Sequence, residues 1–80
     1  MIISLFDFLR RLEQAKIFFK LERIRDQTIM VHVVVPGQRW EVEFFEDGEV
    51  EIEIFRSNGV VDETDNVLQS LFDDFGEMLA

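Results

Sequence analysis

The chain has 80 residues, no cysteine and a formal net charge of −9. This length suffices for one hydrophobic core, so we predict a single domain over residues 1–80. The lack of cysteine excludes disulfides, thiolate metal sites and a cysteine nucleophile, and it fits a reducing cytoplasm. The negative charge disfavours nucleic acid and anionic membranes as partners.

Charge is divided unequally between the two halves of the sequence. Residues 1–40 carry a net charge of +3 and residues 41–80 a net charge of −12, which together give −9. Two explanations fit the acidic half. It attracts a basic partner, or it only keeps the protein soluble.

The first predicted element is a helix over residues 4–15. Ser4 followed by Asp7 is typical of an N-cap, and Leu5, Phe8, Leu9 and Leu12 recur at helical spacing. The apolar stretch before Asp7 lacks a basic start and is too short to span a bilayer, so it indicates neither a signal peptide nor a membrane helix. We therefore expect a cytoplasmic protein.

Four strands are predicted next, at residues 17–24, 28–36, 39–46 and 49–56, because apolar and polar residues alternate along them. The last turn predicts its own register. A three-residue loop at 46–48 with Gly48 in the left-handed region pairs Phe44 with Val50. A two-residue loop would instead place apolar and acidic residues on one face.

The two earlier turns are interpreted in the same way. Glycine at the first central position of the turn 36–39 predicts type II′, which sets Val35 opposite Trp40. A three-residue loop at 25–27 aligns Phe19 with Val33. With all three registers, one sheet face is entirely apolar. Its members are Ile17, Phe19, Leu21, Ile29, Val31, Val33, Val35, Trp40, Val42, Phe44, Val50, Ile52 and Ile54.

A second helix is predicted over residues 63–79. Its apolar stripe comprises Val67, Leu68, Leu71, Phe72, Phe75 and Leu79, and the acidic residues Asp62, Glu63 and Asp65 lie at its N-terminal end. The predicted fold class is therefore α+β. A four-stranded antiparallel meander sheet carries an N-terminal and a C-terminal helix on one face, in the order α-β-β-β-β-α.

The opposite sheet face is predicted to be acidic. The registers place Glu41 opposite Glu53 and Glu43 opposite Glu51, and repulsion within such pairs is expected to raise carboxylate pKa values, that of Glu43 included. Charges on the predicted edge strand 49–56 also discourage strand addition. We predict a partner-binding face for a basic protein here, formed by Glu41, Glu43, Glu51, Glu53, Phe45, Phe55 and Met30.

Two alternatives to a basic partner remain. One is a non-catalytic homodimeric housekeeping domain. The other is a divalent-metal site in the row His32, Glu43 and Glu51, which is the weaker prediction because a flat face offers no enclosed cavity. No phosphate-binding glycine loop or catalytic triad is present in the sequence. We therefore predict no enzyme activity, no catalytic residues and no cofactor.

The run from Arg23 to Gly59 contains P-G-Q-R-W-E-V-E-F-F-E-D-G, starting at Pro36. This core resembles a family of short, functionally uncharacterised bacterial proteins that share P-G-x-R-W-E-V-E-F-F-x-D-G. The resemblance implies a helix, four strands and a helix, and it supplies no catalytic residues. In size and charge the chain is also similar to immunity proteins, which suggests an inhibitor of a basic, nuclease-like toxin.

Overall fold

The computed structural model describes residues 3–57, 59, 61–63 and 71–72. The elements of this part are α1 (Leu5–Ala15), β1 (Phe18–Glu22), β2 (Thr28–Val35), β3 (Gln38–Phe45), β4 (Val50–Arg56) and β5 (Val61–Glu63). The strands form one antiparallel sheet in the order β1-β2-β3-β4-β5. The α+β class and the antiparallel meander are therefore confirmed.

Helix α1 begins and ends with defined caps. The Ser4 hydroxyl accepts a hydrogen bond from the Asp7 N–H at 3.1 Å, which confirms the predicted N-cap. At the other end, Lys16 N–H bonds to the Glu13 carbonyl and Ile17 N–H bonds to the Leu12 carbonyl. These two bonds define a Schellman motif, with Lys16 in the left-handed region at φ 57°.

The sheet extends beyond the four predicted strands. β5 pairs antiparallel with β4, so β4 is not the edge strand that the sequence predicted. Glu63, the predicted first residue of the second helix, lies in β5. The helix predicted over residues 63–79 otherwise falls outside the described residues, except for Leu71 and Phe72, which have helical backbone.

Two of the three predicted registers are confirmed. Phe19 pairs with Val33, and Phe44 pairs with Val50 across a loop in which Gly48 has φ 95°. The β2–β3 register was predicted wrongly, because Val33 rather than Val35 stands opposite Trp40.

The cause of this error is the turn between β2 and β3. Pro36 and Gly37 are its two central residues, and Gly37 has φ 76°. Proline at the first central position and a positive-φ glycine at the second are typical of a type II turn rather than type II′. The shift of two residues keeps every side chain on its predicted face and changes its partner across the strands.

The apolar face forms the core beneath α1. Of its thirteen predicted members nine are buried (Ile17, Val31, Val33, Val35, Trp40, Val42, Phe44, Ile52, Ile54), three are half-buried (Phe19, Ile29, Val50), and Leu21 is 53% exposed. Phe8 and Leu12 of α1 are fully buried against this face. The Phe8 ring lies 5.5 Å from that of Phe44 and 6.0 Å from that of Phe72. Leu71 is also fully buried in the same core.

Candidate functional site

The candidate site is the outer face of the sheet, which we define as the face opposite α1. Most of its residues lie in three rows across β1 to β4. The rows are Phe18, Val34, Arg39 and Phe55; then Lys20, His32, Glu41 and Glu53; then Glu22, Met30, Glu43 and Glu51. The facing pairs Glu41–Glu53 and Glu43–Glu51 were predicted correctly, because the β3–β4 register was correct.

The predicted metal row is wrong. His32 stands opposite Glu41, and Glu43 stands opposite Met30, so the three proposed ligands do not share a row. Among the residues that the structure describes, no three His, Asp or Glu side chains come together as a metal site. The His32 Nε2 atom instead lies 2.7 Å from Glu22 Oε1, and His32 Nδ1 lies 3.9 Å from Glu41 Oε2.

Glu43 is buried and bound on two sides. Arg25 donates from Nη2 to Oε1 at 2.6 Å and from Nε to Oε2 at 3.1 Å, a bidentate pair. The Thr28 hydroxyl donates to Oε2 at 2.7 Å. The loop between β1 and β2 brings Arg25 over the outer face and so supplies the cation that Glu43 requires.

These contacts shift the pKa of Glu43 in the direction opposite to the one expected from the sequence. The hydrogen bond from Arg25 holds the pKa of Glu43 below its ordinary value; burial opposes this shift, and the Thr28 hydrogen bond adds to it. Glu43 in turn raises the pKa of Arg25. The expectation that repulsion from Glu51 raises the pKa of Glu43 is therefore wrong, since a direct ion pair outweighs a like charge on the next strand.

Two residues of the predicted partner-binding face are inaccessible to a partner. Glu43 is 5% exposed and Met30 is 8% exposed. Phe45 is half-buried, and the Arg25 guanidinium lies 5.3 Å from its ring centroid. This corner of the outer face is therefore a small second core that is closed by an arginine.

A second arginine covers the neighbouring part of the face. The Arg39 guanidinium lies 4.4 Å from the centroid of the Phe55 ring and donates to Glu41 Oε2 at 2.6 Å. Glu41 and Phe55 are consequently half-buried. Neither the contact of Arg25 with Glu43 nor that of Arg39 with Glu41 was predicted from the sequence. The alternation of side chains along β3 predicts the correct face for Arg39. Arg25 lies in a loop, where no such periodicity applies.

The carboxylates of β4 are in a different state from those of β3. Glu51 and Glu53 are exposed, and within the described part of the chain neither forms an ion pair. Exposed acidic residues continue from them into the β3–β4 loop. We define the acidic strip as Glu46, Asp47, Glu49, Glu51 and Glu53.

The opposite side of the outer face is apolar. Phe18 and Val34 are cross-strand neighbours and are 59% and 50% exposed. They border a shallow, open depression of about 440 Å³, whose lining is Phe18, Lys20, Leu21, Glu22, His32, Val34 and Arg39. The outer face thus runs from exposed apolar side chains on β1 and β2 to free carboxylates on β4.

Comparison of the chain with known protein families, curated proteins and solved structures finds no match. The resemblance to short bacterial proteins therefore stays a prediction. Within the described ranges, no helix has the length and apolar character needed to cross a membrane.

Proposed function

We propose that this protein is a small, non-catalytic binding module whose acidic strip docks on a basic protein. The observation that supports the proposal is the difference between β3 and β4. Glu41 and Glu43 are bound by arginines of the same chain, whereas Glu51 and Glu53 have no such partner in the described part. Free carboxylates in a row give a local field that accelerates encounter with a positive surface.

The same face offers apolar contact area beside this charge. Phe55 and Arg39 share a row with the exposed pair Phe18 and Val34. Aromatic residues and arginine contribute disproportionately to binding energy, and charged residues at the rim set rate and specificity. A partner that covers both regions has basic side chains opposite β4 and apolar side chains opposite β1 and β2.

The test is affinity capture from a lysate of the native cells, followed by titration of each purified partner. The reversing variant is Glu51→Lys/Glu53→Lys. Its control is Asp7→Lys/Glu13→Lys, two exposed acids of α1 on the other side of the sheet; each variant changes the net charge by +4, from −9 to −5. We expect the association rate of a basic partner to fall about tenfold or more in the first variant only.

Equal losses in both variants would mean that only net charge acts, and unchanged binding in both would remove the strip from the interface.

A specific form of the proposal is an immunity-like inhibitor of a basic, nuclease-like toxin in the cytoplasm. The small size and the negative charge support it by analogy. Its test is inhibition of a purified nuclease encoded beside this gene, and a neighbouring nuclease that stays fully active would contradict this form alone.

A further inference from the structure

Strand β1 presents an open edge in the described part of the chain. It pairs with β2 on one side and with no described strand on the other. Three large apolar residues at this edge are more than half exposed, namely Phe18 at 59%, Leu21 at 53% and Ile24 at 59%. An edge with unpaired backbone groups and exposed apolar side chains is a template for strand addition.

The direction of the free backbone groups follows from the hydrogen bonds elsewhere in the sheet. Phe45 donates its N–H to Glu49 on the β4 side, and Glu46 donates to Gln27 on the β2 side. Along an antiparallel strand, successive residues direct their backbone N–H and C=O groups to opposite sides. The registers of β1 with β2 and of β2 with β3 therefore fix the direction of these groups in β1. Phe19 and Leu21 therefore direct N–H and C=O away from β2.

We propose that two copies of this chain pair antiparallel through their β1 strands, about a two-fold axis at Leu21. The two sheets then become one continuous sheet, and Leu21 of each copy bonds to Leu21 of the other. The charges of β1 favour a second copy of the chain as the partner of this edge. Lys20 of one strand lies opposite Glu22 of the other, and the two-fold axis repeats this ion pair. Within the described part His32 contacts only Oε1 of Glu22, which leaves Oε2 for the lysine of the second copy.

The alternative register about Lys20 is disfavoured. It places the two Lys20 ammonium groups opposite each other and Phe18 opposite Glu22. The register about Leu21 instead places Phe18 level with Ile24, two residues past the end of β1. Lys20 forms no ion pair within the described part of its own chain, so it is available to the second copy.

Sedimentation equilibrium of the full chain tests this pairing. A five-residue strand gives a small interface, so we expect a dissociation constant of about 1–100 μM. Lys20→Glu is expected to weaken the dimer at least tenfold, because two carboxylates then oppose each other. The double variant Lys20→Glu/Glu22→Lys is expected to restore it.

The double variant separates the two registers. Pairing about Lys20 would leave two glutamates opposite each other in it, so failure to restore the dimer would contradict the Leu21 axis. A wild-type chain that stays monomeric at about 1 mM would overturn the proposal. Thermal unfolding of each variant verifies that it is folded, and a dimer unaffected by both variants would place the interface elsewhere.

A cysteine reporter gives an independent result, since the chain has no cysteine of its own. Leu21→Cys places two thiols at the axis, where the hydrogen-bonded pair has a Cα separation of about 5.5 Å, a distance that a short thiol-specific cross-linker spans. Phe6→Cys, on α1 and 68% exposed in the wild type, is the control for random collision. This cross-linker is expected to link the first variant at least tenfold faster than the control, and equal rates would contradict the pairing. Glu51→Lys/Glu53→Lys leaves β1 unchanged, so this result is separate from that of the acidic strip.

Discussion

At Lys16 the backbone adopts a conformation that a lysine rarely takes. Its φ of 57° ends α1, and no other non-glycine residue in the described part has a positive φ. The left-handed region crowds the Cβ atom, which glycine lacks. The Schellman hydrogen bonds of Lys16 and Ile17 hold this conformation in place, so the position carries local strain.

Replacing Lys16 by glycine is therefore expected to stabilise the protein. Lys16→Gly should raise the free energy of unfolding by about 0.5–1 kcal/mol relative to Lys16→Ala, which removes the same charge and keeps the Cβ atom. Urea unfolding of the two variants measures the difference. An alanine variant as stable as the glycine variant would show that the turn carries no strain.

Glu43 has the opposite character, since its surroundings satisfy it fully. Arg25 and Thr28 supply three hydrogen bonds to a carboxylate that is 5% exposed. The lowered pKa of Glu43 means that the charged form is stabilised by folding. Stability from this group is thus complete above the ordinary value of 4.5 and is lost as the pH falls from there through the folded pKa.

We predict that the contribution of Glu43 to stability stays constant between pH 7 and about pH 5 and falls below pH 4.5. Glu43→Gln removes the charge and keeps the shape. The free-energy gap between wild type and this variant should be largest near neutral pH and should shrink in acid. Urea midpoints measured across the acid range give this gap, and one that grows toward pH 3 would contradict the lowered pKa.

At the scale of elements, turn chemistry decides which strand positions meet. Gly48 and the loop at 25–27 were interpreted correctly, and the strands beside them pair as predicted. The turn at Pro36 was misread because its glycine was assigned to the first central position instead of the second. The error shifts the register by two residues, so each side chain stays on its predicted face. Its partner on the next strand changes, so the row that contains His32 was predicted wrongly.

The acidic pairs of the site were predictable for the same reason, but their neutralisation was not. The contact between Arg25 and Glu43 joins residues 18 apart, through a loop whose conformation no alternation describes. A buried glutamate on a strand requires a cation or several donors, and this requirement is the one signal that points to such an arginine. It becomes useful only after burial is known.

Packing of α1 on the sheet depends strongly on Phe8. Its side chain is fully buried between the rings of Phe44 and Phe72. Phe8→Ala is expected to destabilise the protein by about 3–5 kcal/mol, because the cavity between these rings cannot close. Phe6→Ala is the control on the same helix, since Phe6 is 68% exposed, and its cost should stay within about 0.5 kcal/mol. Denaturant unfolding measures both, and similar costs would show that α1 does not anchor the core through Phe8.

At the scale of the whole molecule, charge is the dominant surface property. The net charge is −9, and the described carboxylates without an ion pair are concentrated on β4 and the loop before it. Facing carboxylates across a strand pair destabilise a sheet by about 0.2–1 kcal/mol per pair. The acidic surface therefore lowers the stability of the fold, and salt is expected to reduce this cost because it screens the repulsion between the carboxylates.

We predict that raising NaCl from about 0.02 M to about 0.5 M increases the melting temperature by about 2–8 °C. Glu51→Gln/Glu53→Gln should show a smaller increase, because it lacks the free members of both facing pairs. Glu51→Gln alone changes the net charge from −9 to −8 and should keep part of this reduction. Glu13→Gln makes the same charge change at an exposed position of α1 that forms no ion pair in the described part, and it should respond to salt as the wild type does. Scanning calorimetry decides, and identical salt responses in the two single variants would assign the effect to net charge alone.

The sheet order β1-β2-β3-β4-β5 is also the order of synthesis. Each strand therefore leaves the ribosome next to a partner that has already emerged, with only a short turn between them. Growth of the sheet during translation leaves no strand waiting for a distant one. Leu71 and Phe72, which pack into the core beside Phe8, are synthesised after all five strands. The part of the α1-facing surface that these two residues cover therefore stays exposed until they have left the ribosome.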